Sequence, residues 1–257
     1  MRLLFTILIS GAALLAQAPA TKTGAAPKAA QKTGATKTGA AGAGSLLNPA
    51  ALTRRAPDNF KVKFATTAGD FTAEVHRDWA PLGADRFYNL VRSKFFDGET
   101  FFRVVPNFIV QFGLHGNPAV NRAWENAKIK DDPVKQHNTR GTLVFATAGP
   151  ETRTTQLFIN LRDNTGSLDP QGFAPFGTVI EGMENVDKIF PGYGEQPKQN
   201  ADRPGDKDNI ADSGDAYLKK NFPNLTRITS TTVILPEGAA PAPAAKKAAP
   251  TAPAKKQ

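Results

Sequence analysis

The stretch FFRVVPNFIVQFG, residues 101–113, decides how the chain is interpreted. Most of its residues are Phe, Val or Ile, which favour strands, and Pro106 with the asparagine after it is a turn signal. Two polar side chains, Arg103 and Gln111, interrupt this apolar hairpin. From the hairpin alone, a solvent-facing arginine and a polar edge residue are the simpler interpretation.

Side-chain alternation along the second strand refines that interpretation. In an extended strand Ile109 and Gln111 face one side, whereas Phe108, Val110 and Phe112 face the other. Gln111 is therefore expected beside Ile109 and not in the core behind it. Phe108 comes first, next to the turn, where its ring can still swing toward the side of Ile109.

The rest of the central region is rich in short strands. Alternating apolar residues around Gly69 predict a hairpin over 60–76, and Pro81 begins a helix that Gly98 ends. Further strands are predicted over 141–149, 156–161, 174–180 and 226–235, and short helices over 182–190 and 215–222. This pattern favours an antiparallel barrel or sandwich, with 191–215 as a long polar loop.

Residues 1–20 have the layout of a secretory signal peptide: one arginine, an apolar run, then small residues. Cleavage is expected after Ala20 or Ala18, and Pro19 favours Ala20. The alternative is an uncleaved membrane anchor, but the apolar run is shorter than the ~20 residues that span a bilayer. The protein is thus expected to be exported, and periplasmic or secreted.

Low-complexity segments flank a domain predicted over 58–236. Residues 21–57 and 237–257 are rich in Ala, Pro, Thr and Lys and lack periodic apolar residues, so both are expected to be disordered. The formal net charge is +9. Residues 60–236 contain equal numbers of acidic and basic side chains, so nucleic acid is not expected as a partner. The basic tails are either solvated spacers or contacts to anionic envelope polymers.

Motifs for covalent and metal chemistry are missing from the sequence. It lacks Gly-x-Ser-x-Gly, His-Glu-x-x-His and phosphate-binding glycine loops, and it contains no cysteine. The histidines His76, His115 and His137 are too far apart to suggest ligand spacing. No metal or cofactor is therefore expected. The sequence favours a reaction that makes no covalent bond to the protein.

Three blocks in order carry a specific resemblance. The hairpin, followed by FATAGPETRTTQLFIN (145–160) and FAPFGTVIEGMENVD (173–187), resembles the cyclophilin-type peptidyl-prolyl cis/trans isomerases. The resemblance covers most of 60–190 and is strongest to bacterial exported members. It implies a mainly β fold, a closed eight-stranded antiparallel barrel capped by two helices, with disordered tails. It also implies a monomer that acts on X–Pro bonds of exported or envelope proteins.

The resemblance assigns roles to individual residues. Arg103 is the catalytic residue, which would stabilise the twisted amide, and Gln111 would contact substrate and orient the arginine. The remaining substrate-binding residues are those of the proline pocket (Phe108, Ile109, Phe158, Leu168) and those at the neighbouring groove and rim (Ala146, Thr147, Ala148, Gln156, Phe173).

Several positions depart from the family pattern. Ser167 stands where animal-type members have a tryptophan that helps hold cyclosporin, so weak cyclosporin binding is expected. Phe173 replaces a frequent histidine, and Ile109 a common methionine. Arg153 and Thr154 stand where small or polar residues often flank the groove, which leaves sequence preference near the proline open.

Two other functions are compatible with these residues. One is a non-catalytic module, or holdase chaperone, that grips proline-containing segments. The other is an envelope-anchored structural protein whose basic tails carry the function. An intact Arg103–Gln111 pair beside an apolar pocket favours the enzyme over both.

Overall fold

The computed structural model describes residues 46–195, 197 and 210–236, all of them in the compact unit Gly39–Gln257. The strands are β1 (Asn59–Thr66), β2 (Phe71–His76), β3 (Arg103–Val105), β4 (Ile109–Phe112), β5 (Thr142–Phe145), β6 (Leu157–Asn160), β7 (Pro175–Glu181) and β8 (Ile228–Ile234). The α-helices that lie fully within the described residues are α1 (Pro81–Arg92), α2 (Pro118–Glu125), α3 (Thr165–Leu168), α4 (Met183–Val186) and α5 (Ile210–Asn221).

The eight strands of the described residues form one sheet in the order β3-β4-β6-β5-β7-β2-β1-β8, and each pairing is antiparallel. This confirms the predicted mainly β, antiparallel architecture. β3 and β8 are the two ends, and the segments before them meet at a bridge between Thr100 and Arg227. There the Phe101 N–H donates to the Thr226 carbonyl at 3.1 Å. Strand pairing alone does not establish closure, so the closed barrel stays a prediction.

Phenylalanine dominates the main core, which lies between the sheet and α1. The rings of Phe64 and Phe71 stack at 4.6 Å across the β1–β2 hairpin, as the alternation around Gly69 predicts. Phe87 of α1 packs against Phe176 of β7 at 5.1 Å. Each fully buried ring contributes roughly 1.5–3 kcal/mol relative to an exposed one, so this cluster supplies much of the stability.

The first helix is shorter than predicted, whereas the turn that follows it is as predicted. α1 begins at Pro81 as predicted but ends at Arg92, well before Gly98, because Lys94 adopts a left-handed φ of 63° that a helix cannot continue. The predicted turn of the 101–113 hairpin is confirmed, and its Asn107 has a φ of 57°. Asparagine tolerates this conformation better than most residues.

The structure has more helices than the two predicted as caps. α2 was not predicted, although Asn117 caps it by accepting a hydrogen bond from the Ala119 N–H and Pro118 begins it. The expected polar loop 191–215 is also too long, because α5 begins at Ile210, which is fully buried. α5 bends at Gly214, whose φ of 52° places the chain against Gly116.

The packed part of the chain extends N-terminally of residue 58. Leu46 and Ala56 are buried, and the Leu46 carbonyl accepts a hydrogen bond from the Trp124 indole at 2.9 Å. Residues 46–57, expected in the disordered linker, thus contact the domain. The predicted signal peptide, the linker before Leu46 and the C-terminal tail lie outside the described residues. Within those described, no helix combines the length and apolar character needed to cross a membrane.

One carboxyl group lies inside the protein next to the bridge between the sheet ends. Glu99 is 1% exposed, and neither of its carboxyl oxygens has a hydrogen bond of good geometry. Burial raises the pKa of Glu99 well above its ordinary value, and the negative charges of Asp97 and Asp215 act in the same direction. The nearby Gly113 N–H opposes this shift only in part.

We expect Glu99 to make folding less favourable as the pH rises. Its carboxyl binds a proton more tightly in the folded than in the unfolded protein. The stability that it contributes is therefore complete below the unfolded pKa and is lost as the pH rises through the folded pKa. Glu99→Gln should flatten the fall in unfolding free energy above about pH 4.5, measured by denaturant titration across the pH range. The exposed Glu125→Gln is the control, and equal pH dependence of both variants would contradict the assignment.

Candidate active site

A small apolar cluster lies apart from the main core. Ile109 of β4, Val144 of β5, Phe158 of β6 and Leu168 of α3 are buried together. Three partly buried side chains pack around them: Phe108, Ala146 and Phe173. Six of these seven residues are ones that the sequence analysis selected as substrate-binding, and Val144 was missed. Val144 gave no separate signal, because a valine in a strand is equally suited to the core.

The alternation along β4 explains why there are two clusters. Val110 and Phe112 belong to the main core, while Ile109 belongs to the small cluster and Gln111 faces the same way. Phe108 precedes β4, and its ring has turned to the Ile109 side, as expected for a residue next to the turn. β4 therefore separates the main core from this small apolar cluster.

A row of hydrogen-bonded polar side chains borders the small apolar cluster. Arg103 is paired with Gln111 across β3 and β4, and its Nη1 donates to Gln111 Oε1 at 3.2 Å. Gln111 is 2% exposed and its Nε2 donates to Gln156 Oε1 at 2.9 Å. The Arg103 guanidinium lies 5.9 Å from the centre of the Phe108 ring. Arg103, Gln111 and Gln156, selected separately from the sequence, thus form one hydrogen-bonded row.

A glutamate that the sequence analysis did not select completes this row. Glu195 Oε1 accepts from Arg103 Nε at 2.8 Å and also from Nη2. The Arg103 side chain is 16% exposed and that of Glu195 48%. The local sequence offered no sign of this contact, because Glu195 lies in the segment that was assigned only as a polar loop.

The groove residues lie on the far side of Gln156. The Ala146 N–H donates to the Gln156 carbonyl at 2.9 Å. Thr147 uses its hydroxyl within the following turn, where it bonds to the hydroxyl of Thr152 at 2.8 Å. The Ala148 N–H donates to the same Thr152 hydroxyl at 2.9 Å, and Ala148 is exposed. The backbone, and not the side chain of Thr147, is what this segment can offer to an extended peptide.

Arg153 does not flank the groove, contrary to the position inferred from sequence. It is 5% exposed, and both of its terminal nitrogens donate to Asp132 at 3.1 Å. The same carboxylate accepts the backbone N–H groups of Leu82 and Gly83 at the start of α1. Arg153 is therefore a structural partner of α1. The Thr154 carbonyl is likewise bound from behind, by Arg86 at 2.9 Å.

Buried asparagines fix the loops next to the small apolar cluster. Asn164 Nδ2 donates to the Phe108 carbonyl at 3.0 Å and to Asn160 Oδ1 at 2.7 Å. Asn160 donates to Asn138, and Asn138 donates to the Phe173 carbonyl at 2.8 Å. None of these amides was selected from the sequence, because asparagine alone is equally typical of turns. Together they anchor the backbone at Phe108 and Phe173, two residues that pack against the small apolar cluster.

The site combines apolar side chains with hydrogen-bond donors and acceptors. Among the described residues there is no group of three or more His, Asp or Glu side chains that could hold a metal ion. The site itself consists of the small apolar cluster, the charged donor Arg103 at its edge, and the side-chain amides of Gln111 and Gln156. Such a site can bind a small apolar ring and stabilise electron density beside it. Ser167, at the rim, is exposed and its hydroxyl donates to the Asn164 carbonyl at 3.1 Å.

Comparison with known proteins gives consistent results. The family model described as "Cyclophilin type peptidyl-prolyl cis-trans isomerase/CLD" matches residues 61–214. A curated peptidyl-prolyl cis-trans isomerase of Acinetobacter baylyi is 38% identical over 143 residues, which cover 54% of this chain and 76% of that protein. Peptidyl-prolyl cis-trans isomerase B of Escherichia coli is 35% identical over 136 residues, covering 50% and 82% of the two chains.

A solved structure gives a weaker likeness. The crystal structure of a Cryptosporidium parvum cyclophilin type peptidyl-prolyl cis-trans isomerase matches with a TM-score of 0.48 and 20% identity. The match covers 69% of this chain and 99% of the other.

Asn164→Ala should destabilise the protein by about 1–3 kcal/mol, because it leaves the buried Asn160 Oδ1 without its donor. Urea denaturation measures this change. Asn185→Ala is a matched control, since Asn185 also donates to a backbone carbonyl, that of Asp70, but at the surface. We expect the control to lose less than about 1 kcal/mol. Similar losses for the two variants would show that the asparagine network has no special role.

Proposed function

The chain belongs to the cyclophilin-type peptidyl-prolyl cis-trans isomerases, and on that premise we propose that Arg103 is the group that stabilises the transition state. The observation that carries the proposal is the position of its guanidinium. It lies at the edge of the small apolar cluster, hydrogen-bonded to the buried Gln111 and close to the Phe108 ring. The substrates are X–Pro bonds of polypeptides, and the proline ring would pack against the small apolar cluster.

The barrier to rotation about an X–Pro bond comes from amide resonance. It is ~18–20 kcal/mol, so the uncatalysed reaction takes tens to hundreds of seconds. Reaching ~10 s⁻¹ requires lowering the barrier by only about 4 kcal/mol. A charge-assisted hydrogen bond contributes roughly 1.5–3 kcal/mol. One well-placed guanidinium and a shaped pocket are therefore sufficient, and no nucleophile is needed.

The direction of catalysis follows from the electronic change at the prolyl nitrogen. In the planar amide its lone pair is delocalised, whereas in the twisted amide it is localised and can accept a hydrogen bond. A guanidinium directed at this nitrogen binds the twisted state better than either planar state, which is the requirement for catalysis. Arg103 acts here as a hydrogen-bond donor, and no proton has to be transferred.

We assign the other selected residues to substrate binding. Ile109, Phe158 and Leu168 form the floor that would take the proline ring, with Phe108 and Phe173 at its sides. Gln111 and Gln156 would contact the peptide backbone, and the segment Ala146–Thr147–Ala148 would accommodate the residues before the proline. Ser167 supplies none of the indole surface of the tryptophan that it replaces, so weak cyclosporin binding is part of the proposal.

We also propose that the enzyme acts on exported or envelope proteins, as a monomer. The support is the signal-like composition of residues 1–20, with a small-residue cleavage site at Ala20. The basic residues of 21–57 and 237–257 would then contact anionic envelope polymers.

Arg103→Ala should lower kcat/KM about 10- to 150-fold, which corresponds to the loss of ~1.5–3 kcal/mol of transition-state stabilisation. Exchange NMR on short X–Pro peptides with the full chain measures both binding and rate. The exposed Arg122→Ala is the control for the loss of a positive charge. Binding retained with an unchanged rate would contradict the role of Arg103. A wild-type chain that binds without acceleration would instead be a proline-binding module or holdase.

The mature protein is expected to begin at Thr21, after cleavage of a 20-residue signal. Intact mass and N-terminal sequencing of the protein from its native envelope fraction measure this. A start at Pro19 would identify Ala18 as the cleavage site and leave export intact. Recovery of the chain with Met1 in the cytoplasmic fraction would contradict export.

A further inference from the structure

Glu195 lies beside β3, on the strand edge that does not pair with β4, and we propose that it is a positioning residue for Arg103. In this role its carboxylate holds the guanidinium in the orientation that serves catalysis, and it does not itself contact the reacting atoms. The inference rests on the proposed function of Arg103. It goes beyond the Arg103–Gln111 pair, because it assigns a second support for the arginine from a segment remote in sequence.

Three contacts hold the segment that carries Glu195 in place. The Val104 N–H donates to the Gly194 carbonyl at 3.2 Å, using the edge of β3 that does not pair with β4. The Gly194 N–H donates to the Pro191 carbonyl at 2.9 Å, which closes a turn. The ring of Tyr193 packs edge-on against Phe222, with centroids 5.1 Å apart. The carboxylate is thus presented from an anchored turn.

The hydrogen bonds to Arg103 come from two opposite supports. Gln111 accepts from Nη1, while Glu195 accepts from Nε and Nη2. A single bond to Nη1 would leave the long side chain free to pivot about that point. Bonds at Nε and Nη2 as well define the plane of the guanidinium. Three of its five N–H donors are then engaged and two remain for the substrate.

The contact has the character of an orienting bond more than of charge neutralisation. The Glu195 side chain is 48% exposed, so water screens its charge, whereas Arg103 is 16% exposed. Gln111, the other support, orients the guanidinium as an uncharged amide. A neutral acceptor in place of Glu195 Oε1 would offer the same geometry to Nε and Nη2. The role therefore depends on the acceptor oxygen, and the formal charge is secondary.

The test is a double-mutant cycle on the full chain, read by exchange NMR with X–Pro peptides. Glu195→Ala should lower kcat about 3- to 10-fold and change KM less than 2-fold, because orientation matters more in the transition state than in binding. Glu195→Gln should stay within 2-fold of wild type. In the Arg103→Ala background, Glu195→Ala should have no further effect. Glu125→Ala, at an exposed position of α2, is the control.

A direct readout of the contact accompanies the kinetics. In wild type the Arg103 Nε–H resonance should exchange slowly with water, and in Glu195→Ala it should exchange rapidly while the rest of the spectrum is unchanged. This separates loss of the contact from loss of folding.

Three results would overturn the inference. They are a Glu195→Ala rate equal to or above wild type, a Glu195→Gln rate as low as that of Glu195→Ala, and an equal effect of Glu195→Ala with and without Arg103. Full activity of Arg103→Ala alone would instead refute the proposed function, so the two failures are distinguishable.

Discussion

The buried amide of Gln111 is the interaction on which the arrangement of the site depends. It accepts from Arg103 on one side and donates to Gln156 on the other, at 2% exposure. Both bonds require β3, β4 and β6 to pair in one register. A slip of one residue along β4 would turn the amide into a core of phenylalanine rings and expose Val110 or Phe112. The polar row and the core therefore specify the same register.

One face of β4 contributes to the stability of the fold, and the other contributes to the candidate site. On one face, Val110 and Phe112 join the core that stabilises the fold; on the other, Ile109 joins the small apolar cluster. The reaction needs little lowering of its barrier, so the substrate site can be small and can consist mainly of apolar side chains. Most of the sheet is then free to serve stability, and the demands of catalysis fall on a few residues at one end.

Much of this was predictable from sequence, for a physical reason. Alternation in strands is local, so the sides of Ile109 and Gln111 could be read from adjacent letters and the structure confirms them. Contacts made across the fold leave no such local trace. Glu195 meets Arg103 from 92 positions away, and Asn138 meets Phe173 from 35. Arg153 shows the converse, since its position in the sequence near the groove did not reveal that Asp132 holds it inside.

The pairing of β1 sets the order in which the fold can be completed. β1 lies between β2, which follows it directly, and β8, which is the last strand of the domain. One edge of β1 therefore stays unpaired until β8 has left the ribosome. Chain contacts between opposite termini form late and slowly. This peptidyl-prolyl isomerase thus has a sheet that cannot be completed before nearly all of its described residues have been synthesised.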